Sequence, residues 1–339
     1  MTELASQSHD GRRGRAGAGA DERAVLAASA HLTDRDRYLV RLVGEHRVLT
    51  TDQLRALAFS NATTARHRLT VLARLGVLRR FRPHRDEGSA PWHYLLGPLG
   101  AALLGTEDRD DRTWAPRVRT DRQLALERSQ RLSHLVGANW FFVALAARAR
   151  TGAGQLRMWL GEADAASYHD AFARALSRGQ GPHPDGLGSW GEDGREVTFF
   201  LEHDTGTEHL PRLEAKLDGY ARLAEALAVY GRACPVLLFA FPGPRREQSA
   251  RAVFACSAEA PALRIATIAV NPRLVCPAGP VWMPLSSTGA SQLRLIDLER
   301  SLPDPWLLAR QQAEREIAAR RAPAPVYSEA DDLDDLPEP

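Results

Sequence analysis

The stretch Pro184-Asp185-Gly186-Leu187-Gly188-Ser189-Trp190-Gly191-Glu192-Asp193-Gly194-Arg195-Glu196-Val197-Thr198-Phe199-Phe200-Leu201-Glu202-His203-Asp204 decides how the centre of the chain folds. Asp193-Gly194 predicts a two-residue hairpin turn, because that turn needs residues tolerant of positive φ. With the turn fixed there, Asp185 falls opposite Glu202. Opposed side chains share a face with Cβ atoms about 5 Å apart, and Asp204, two residues on, points the same way. Val197, Phe199 and Leu201 then line the other face, and His203 points away from the carboxylates. Three carboxylates at one end of a hairpin call for a cation, and hard oxygen donors favour Mg²⁺. The expected metal ligands are therefore Asp185, Glu202 and Asp204.

Lys216 is expected to complete this site. Of 44 basic residues it is the one lysine, the rest being arginine. A compact ammonium beside metal and phosphate is a task a planar guanidinium performs poorly. The plainer alternative is a lysine that survived an arginine-rich composition. Helical spacing over Leu210 to Tyr230 puts Lys216 and Tyr220 on one face, and Pro211 is tolerated in the first turn. Asp185, Glu202 and Lys216 are the catalytic candidates. His134 and His209 are expected to be structural.

Upstream, apolar periodicity predicts helices from Thr33-Asp34 to His46, from a Thr51 cap to Phe59, and from Ala62 to Leu75. Two strands follow, Val77 to Arg82 and Trp92 to Leu96, around a polar loop containing Arg85. Three helices and a two-stranded wing are the order of a winged helix, whose third helix enters the major groove while the wing tracks phosphates. The DNA-contacting candidates are Thr63, Thr64, Arg66, His67 and Arg68 on the third helix, and Arg79, Arg80 and Arg82 on the wing. A merely solvated basic face, or a protein-binding winged helix, remains the alternative.

The remaining chain predicts a helix over 120–150, strands at 156–160, 185–190 and 196–202, a helix over 165–178, and an apolar strand at 234–241. That apolar run is expected to be a buried parallel strand. A helix at 245–255, a strand at 263–270 and a charged helix at 306–321 follow. The class is thus mixed α/β (α+β). The expected divisions are a disordered tail (1–30), a winged helix (31–105), a linker (106–119), a second domain (120–300), a helix (301–321) and an acidic tail (322–339). That last stretch carries Glu329, Asp331, Asp332, Asp334, Asp335 and Glu338, so the net charge of +2 hides a basic body suited to a polyanion. No apolar run reaches membrane-spanning length and no signal segment opens the chain, so a cytoplasmic location is expected. Cys234, Cys256 and Cys276 are too few and too spread for a disulfide framework or zinc site.

The order αβββαβ, with Pro184-Asp185 opening one strand and Glu202 closing the next, resembles the PD-(D/E)xK, restriction-endonuclease-like superfamily. That resemblance implies Mg²⁺ held by Asp185 and Glu202, and a lysine assisting phosphodiester hydrolysis. The chain departs from the pattern where Asp204 occupies the usual lysine position. Lys216, as a migrated lysine, or a degenerate site are the two explanations, and Glu162 is a weak candidate for the acidic residue preceding the Asp. A winged helix ahead of Pro-Asp-Gly, Leu-Glu-His-Asp and Lys-Leu-x-x-Tyr also resembles the replication-relaxation proteins of actinobacterial plasmids and integrative elements, over about residues 30 to 245. The partners implied are duplex DNA and plasmid replication or transfer proteins, with a homodimer as an allowed assembly. Two functions stay open. One is a plasmid replication or mobilisation protein with a Mg²⁺-dependent nuclease-like domain. The other is a non-catalytic DNA-binding accessory or transcriptional regulator on a degenerate nuclease fold.

Overall fold

Two sheets organise the chain, and helices pack on each, which makes the class mixed α and β. The structure is a computed structural model that describes residues 23–84, 88–107, 126–127, 129, 131–167, 181–286 and 291–321. Arg85, most of the expected linker, most of the helix expected at 165–178 and the acidic tail lie outside the described residues. Among those described, no helix is long and apolar enough to cross a membrane.

The first unit is built on local capping. Helix α1 (Asp34–His46) starts with a reciprocal box in which Asp36 N–H donates to Thr33 Oγ1 and Thr33 N–H donates to the Asp36 carboxylate. After β1 (Leu49–Thr50), helix α2 (Thr51–Ala58) is capped by Thr50 and not, as expected, by Thr51. Gln53 decides between the adjacent threonines, because only Thr50 has an amide carbonyl three residues on to accept its N–H, at 2.8 Å. Asn61 caps α3 (Ala62–Arg74), its side-chain oxygen accepting from the N–H groups of Thr63 and Thr64. Strands β2 (Leu78–Phe81) and β3 (His93–Leu96) join β1 in a sheet of order β1-β3-β2, and α4 (Pro98–Glu107) follows. Leu39, Val43, Leu54, Leu69, Leu72 and Tyr94 fill the core between helices and sheet. Order begins earlier than expected. Residues 23–30 form a helix and Ala28 is buried in this core.

The second unit begins with α5 (Arg131–Ala149) and β4 (Gln155–Gly161), followed by β5 (Gly186–Glu192) and β6 (Arg195–His203). Then come α6 (Leu210–Val229), β7 (Val236–Ala240), α7 (Pro244–Cys256), β8 (Ile265–Ile268), β9 (Met283–Pro284), α8 (Leu298–Ser301) and α9 (Pro305–Arg321). The sheet order is β4-β5-β6-β7-β8-β9. The expected turn is present, with φ 53° at Asp193 and 69° at Gly194. The register runs from the pair Glu192 and Arg195 to the pair Gly186 and Leu201, where the ladder ends. Asp185 N–H donates to the Leu201 carbonyl at 2.9 Å, one step out of that register. The expected direct pairing of Asp185 with Glu202 is therefore not part of the ladder. As expected, β7 is parallel to β6, and β8 continues parallel to it.

Helix α5 covers one face of the sheet, where Phe141 and Phe142 pack with Phe199 and Leu201. Helices α6 and α7 cover the other, with Leu213, Leu217, Tyr220 and Phe254 against Leu187, Phe200 and Phe239. Gly186 has a packing reason, since a Cβ there would lie 2.6 Å from the Phe142 ring.

The two units share a built interface. Buried Asn139 on α5 donates to the carbonyls of His46 (3.2 Å) and Val48 (2.9 Å), and Gln53 Nε2 donates to Val136 O at 3.0 Å. Arg150 Nη1 donates to Ala56 O at 2.8 Å. Val143 of α5 sits in the first unit's core. The His46 ring stacks on Trp159 with centroids 3.5 Å apart, and Trp159 stacks in turn on Phe142. Val48 and Leu95 pack with Leu126 and Leu132, beside Phe81, Leu135 and Val136.

Candidate functional site

Strand β6 and helix α6 deliver the central pair of the site. Glu202 ends the buried part of β6 on the side that α6 covers, and only 2% of it is exposed. The stripe Leu213, Leu217, Tyr220, Leu223, Ala224 and Leu227 clamps α6 onto that face. This seats Lys216 and Tyr220, one turn apart, over Glu202. Lys216 Nζ lies 2.8 Å from Glu202 Oε2, and the Tyr220 hydroxyl donates to Glu202 Oε1 at 2.5 Å. Lys216 Nζ also lies 3.1 Å from Glu208 Oε2. The expected approach of Lys216 to the end of the hairpin is therefore present, with Tyr220 as a further partner.

Asp185 stands where β5 begins. Its Oδ2 accepts from the His203 backbone N–H at 2.7 Å, and its Oδ1 is 2.7 Å from His134 Nε2 on α5. His134, expected to be structural, is thus the side-chain partner of Asp185. Its ring also neighbours that of His203, with centroids 5.6 Å apart. His203 does point away from Glu202, toward α5, where Gly137 leaves room for it; a Cβ on Gly137 would lie 2.1 Å from His203 Nε2.

Asp204, expected as a third metal ligand, is turned to other partners. Arg246 Nε donates to its Oδ2 at 2.6 Å, and Gly206 N–H donates to its Oδ1 at 2.8 Å. Arg246 also donates to the Glu208 carbonyl, which ties α7 to the loop after β6. Among the described residues no group of three or more His, Cys, Asp or Glu is arranged to hold a metal. Glu162 is exposed at the start of a short helix, 162–167.

The electrostatics follow from burial. Desolvation pushes the Glu202 carboxyl up to about 7, and the charge of Asp185 pushes the same way against Lys216 and Tyr220. Burial opposes the charge on Lys216, but Glu202, Glu208 and Asp185 overcome it and raise its pKa. Lys216 therefore stays charged while Glu202, the fully buried partner, titrates near neutrality. Burial likewise raises the Tyr220 phenol. The hydrogen bond to Asp185 raises His134, whereas burial lowers His203 to about 4.

Mg²⁺ keeps several waters and binds through one or two carboxylates plus substrate phosphates. Asp185 and Glu202 are the two carboxylates that could hold such an ion, and in this structure all four of their oxygens meet protein partners: His134 and the His203 N–H at Asp185, Lys216 and Tyr220 at Glu202.

The nucleic-acid candidates divide. Thr63, Thr64, Arg66 and His67 are exposed on α3. Arg68 is engaged inward, Nε to Asp36 Oδ1 at 3.0 Å and Nη2 to Asp36 Oδ2 at 2.6 Å, with a further bond to the His31 carbonyl. Arg80 and Arg82 are exposed, and each guanidinium lies 4.4 Å from the Trp92 ring centre. Arg79 is half-buried, 4.0 Å from Glu127.

The sequence signal for Tyr220 was its helical spacing from Lys216. For His134 it was a polar residue opening an otherwise apolar helix. Arg246 carries no such signal. In comparison with known proteins, the replication-relaxation family model matches residues 40–234, which runs from the middle of α1 through α6 and includes Asp185, Glu202 and Lys216. No curated protein matches the chain. No solved structure matches it either.

Proposed function

The chain belongs to the replication-relaxation family, and from that premise we propose that it is a duplex-DNA-binding protein of plasmid replication or mobilisation with a Mg²⁺-dependent phosphodiesterase site. The first unit acts as a winged helix, presenting Thr63, Thr64, Arg66 and His67 to base edges and Arg79, Arg80 and Arg82 to phosphates. Arg68 supports this surface from behind through Asp36. In the second unit Asp185 and Glu202 would hold the ion, on a fold we assign to the PD-(D/E)xK type.

The observation that carries the catalytic part is Lys216 Nζ at 2.8 Å from Glu202, with Asp185 one residue beyond the last ladder pair, Gly186 and Leu201. A bound Mg²⁺ would supply Lewis-acid polarisation of the phosphoryl oxygen and a more acidic water. The chain's own residues do the rest. His134 and the His203 N–H orient Asp185. Tyr220 fixes the rotamer of Glu202. Lys216 places a permanent positive charge where negative charge grows on the phosphate.

Purified full-length protein is expected to nick supercoiled plasmid in Mg²⁺ and not in EDTA. Asp185→Asn and Lys216→Ala should lose nicking while keeping DNA affinity. A second reading, a non-catalytic DNA-binding accessory, is favoured by one observation: both Glu202 oxygens already have protein partners. Absence of nicking by the wild-type protein in either Mg²⁺ or Mn²⁺ would leave that reading in place.

A further inference from the structure

We infer that the first unit and the Asp185/Glu202/Lys216 site engage one continuous duplex at a fixed offset, within about one helical turn of each other. The inference rests on the DNA-binding part of the reading above and goes beyond it. Two domains on a slack linker would reach many positions along a DNA molecule. Here helix Arg131–Ala149 removes that freedom.

Its first two turns touch both functional regions. Leu132, Leu135 and Val136 pack beside Phe81 and Leu95 of β2 and β3; β2 carries Arg79 and Arg80 and runs into Arg82. His134, between those residues, meets Asp185. The strand bearing the basic side chains and the carboxylate site therefore flank the same helix, whose full diameter is about 10–12 Å. One turn of B-DNA is about 34 Å long, so a duplex seated on the hairpin extends well past the site. The exposed basic residues are placed for such a path: Arg80 and Arg82 on the hairpin, Arg131 at the start of the helix, and Arg212 on Leu210–Val229.

The offset is rigid because the contacts holding the helix to the first unit are buried and directional. Asn139 satisfies two main-chain carbonyls at the end of α1, and Gln53 reaches the Val136 carbonyl. Releasing such bonds leaves buried polar groups unpaired, which is unfavourable. The contacts lie on both sides of Gly137, the residue that seats His203.

The test uses affinity cleavage, which does not depend on hydrolysis. Full-length protein carrying Cys256→Ser and Arg212→Cys is conjugated to an iron chelate at position 212. Cys256 is the exposed native thiol, and Arg212 is 81% exposed one turn from Lys216. The probe is a set of duplexes selected for binding from a random-sequence pool, with the hydroxyl-radical footprint defining the protected stretch. Chelate scission is expected in one patch, within about 10 base pairs of one edge of that stretch. An added Asp185→Asn should leave the patch unchanged. Scission spread evenly along bound DNA, or none on DNA that is bound, would overturn the inference. Loss of Mg²⁺-dependent nicking with the patch retained would overturn the nuclease reading alone.

Discussion

Glu202 is the residue on which the site's behaviour turns. Its pKa of about 7 lies above its ordinary value of 4.5 because burial and Asp185 both disfavour its charge. In the proposed site protons and Mg²⁺ compete for the same oxygens, so Mg²⁺ affinity in the presence of a DNA duplex should tighten as pH rises through about 7. Calorimetric titrations between pH 6 and 8.5 would measure this, and a flat profile would show that Glu202 is not a ligand. Tyr220→Phe removes a hydrogen bond that favours the ionised form, so the midpoint should move upward. Lys216 separates charge from shape. Lys216→Arg keeps the positive charge but presents a planar fork, so it should preserve folding and DNA binding while plasmid nicking falls at least tenfold. Nicking at the wild-type rate would remove Lys216 from the mechanism.

At the scale of elements, the tight joints are glycines and one amide. Gly186→Ala puts a methyl 2.6 Å from the Phe142 ring and 3.1 Å from the Leu160 carbonyl. Overpacking of this kind costs about 1–3 kcal/mol, and chemical denaturation should show it as a lowered midpoint with unchanged slope. Asn139→Leu, close in size, leaves the His46 and Val48 carbonyls without their donor. A loss of about 1–3 kcal/mol is expected there too.

The same elements explain what could be read in the sequence. Asp193-Gly194 and the two-residue period set which side chains oppose each other, so the ladder from Glu192 and Arg195 to Gly186 and Leu201 was legible before any coordinates. Its end one step short of Asp185, whose N–H turns to the Leu201 carbonyl, was not. The helical period gave the shared face of Lys216 and Tyr220 for the same reason. His134 meets Asp185 across 51 residues, and Arg246 meets Asp204 across 42. Local periodicity tells which face a side chain takes. It does not tell which distant element will be laid against that face, so Asp204 looked like a metal ligand. Adjacent threonines at 50 and 51 shifted a cap by one residue, because the answer lay in Gln53. The interface between the units was not legible, since Gln53, Asn139 and His46 each read as ordinary polar positions on their own helices.

For the whole molecule, the proposed DNA contacts make a quantitative statement. Each phosphate neutralised contributes about 0.9 to the slope of log affinity against log salt. Arg80→Ala with Arg82→Ala should therefore reduce that slope by about 2 and weaken binding similarly across sequences. Arg68→Ala should act differently. It strands the fully buried Asp36 carboxylate, so its main effect should be a lower melting temperature. An unchanged melting temperature would make Arg68 a surface contact after all.

Asn139 also bears on how such proteins can be reshuffled. A crossover placed in the stretch before Arg131 would look natural, since it separates the first sheet from the second. It would nevertheless part the amide on helix Arg131–Ala149 from the His46 and Val48 carbonyls it serves, and part Leu132 from Leu95. The portable segment is the first unit together with helix Arg131–Ala149. Chimeras between relatives that exchange both should inherit a new binding preference and remain folded, whereas those cut ahead of the helix should aggregate. The unit of inheritance is longer by one helix than the unit of recognition.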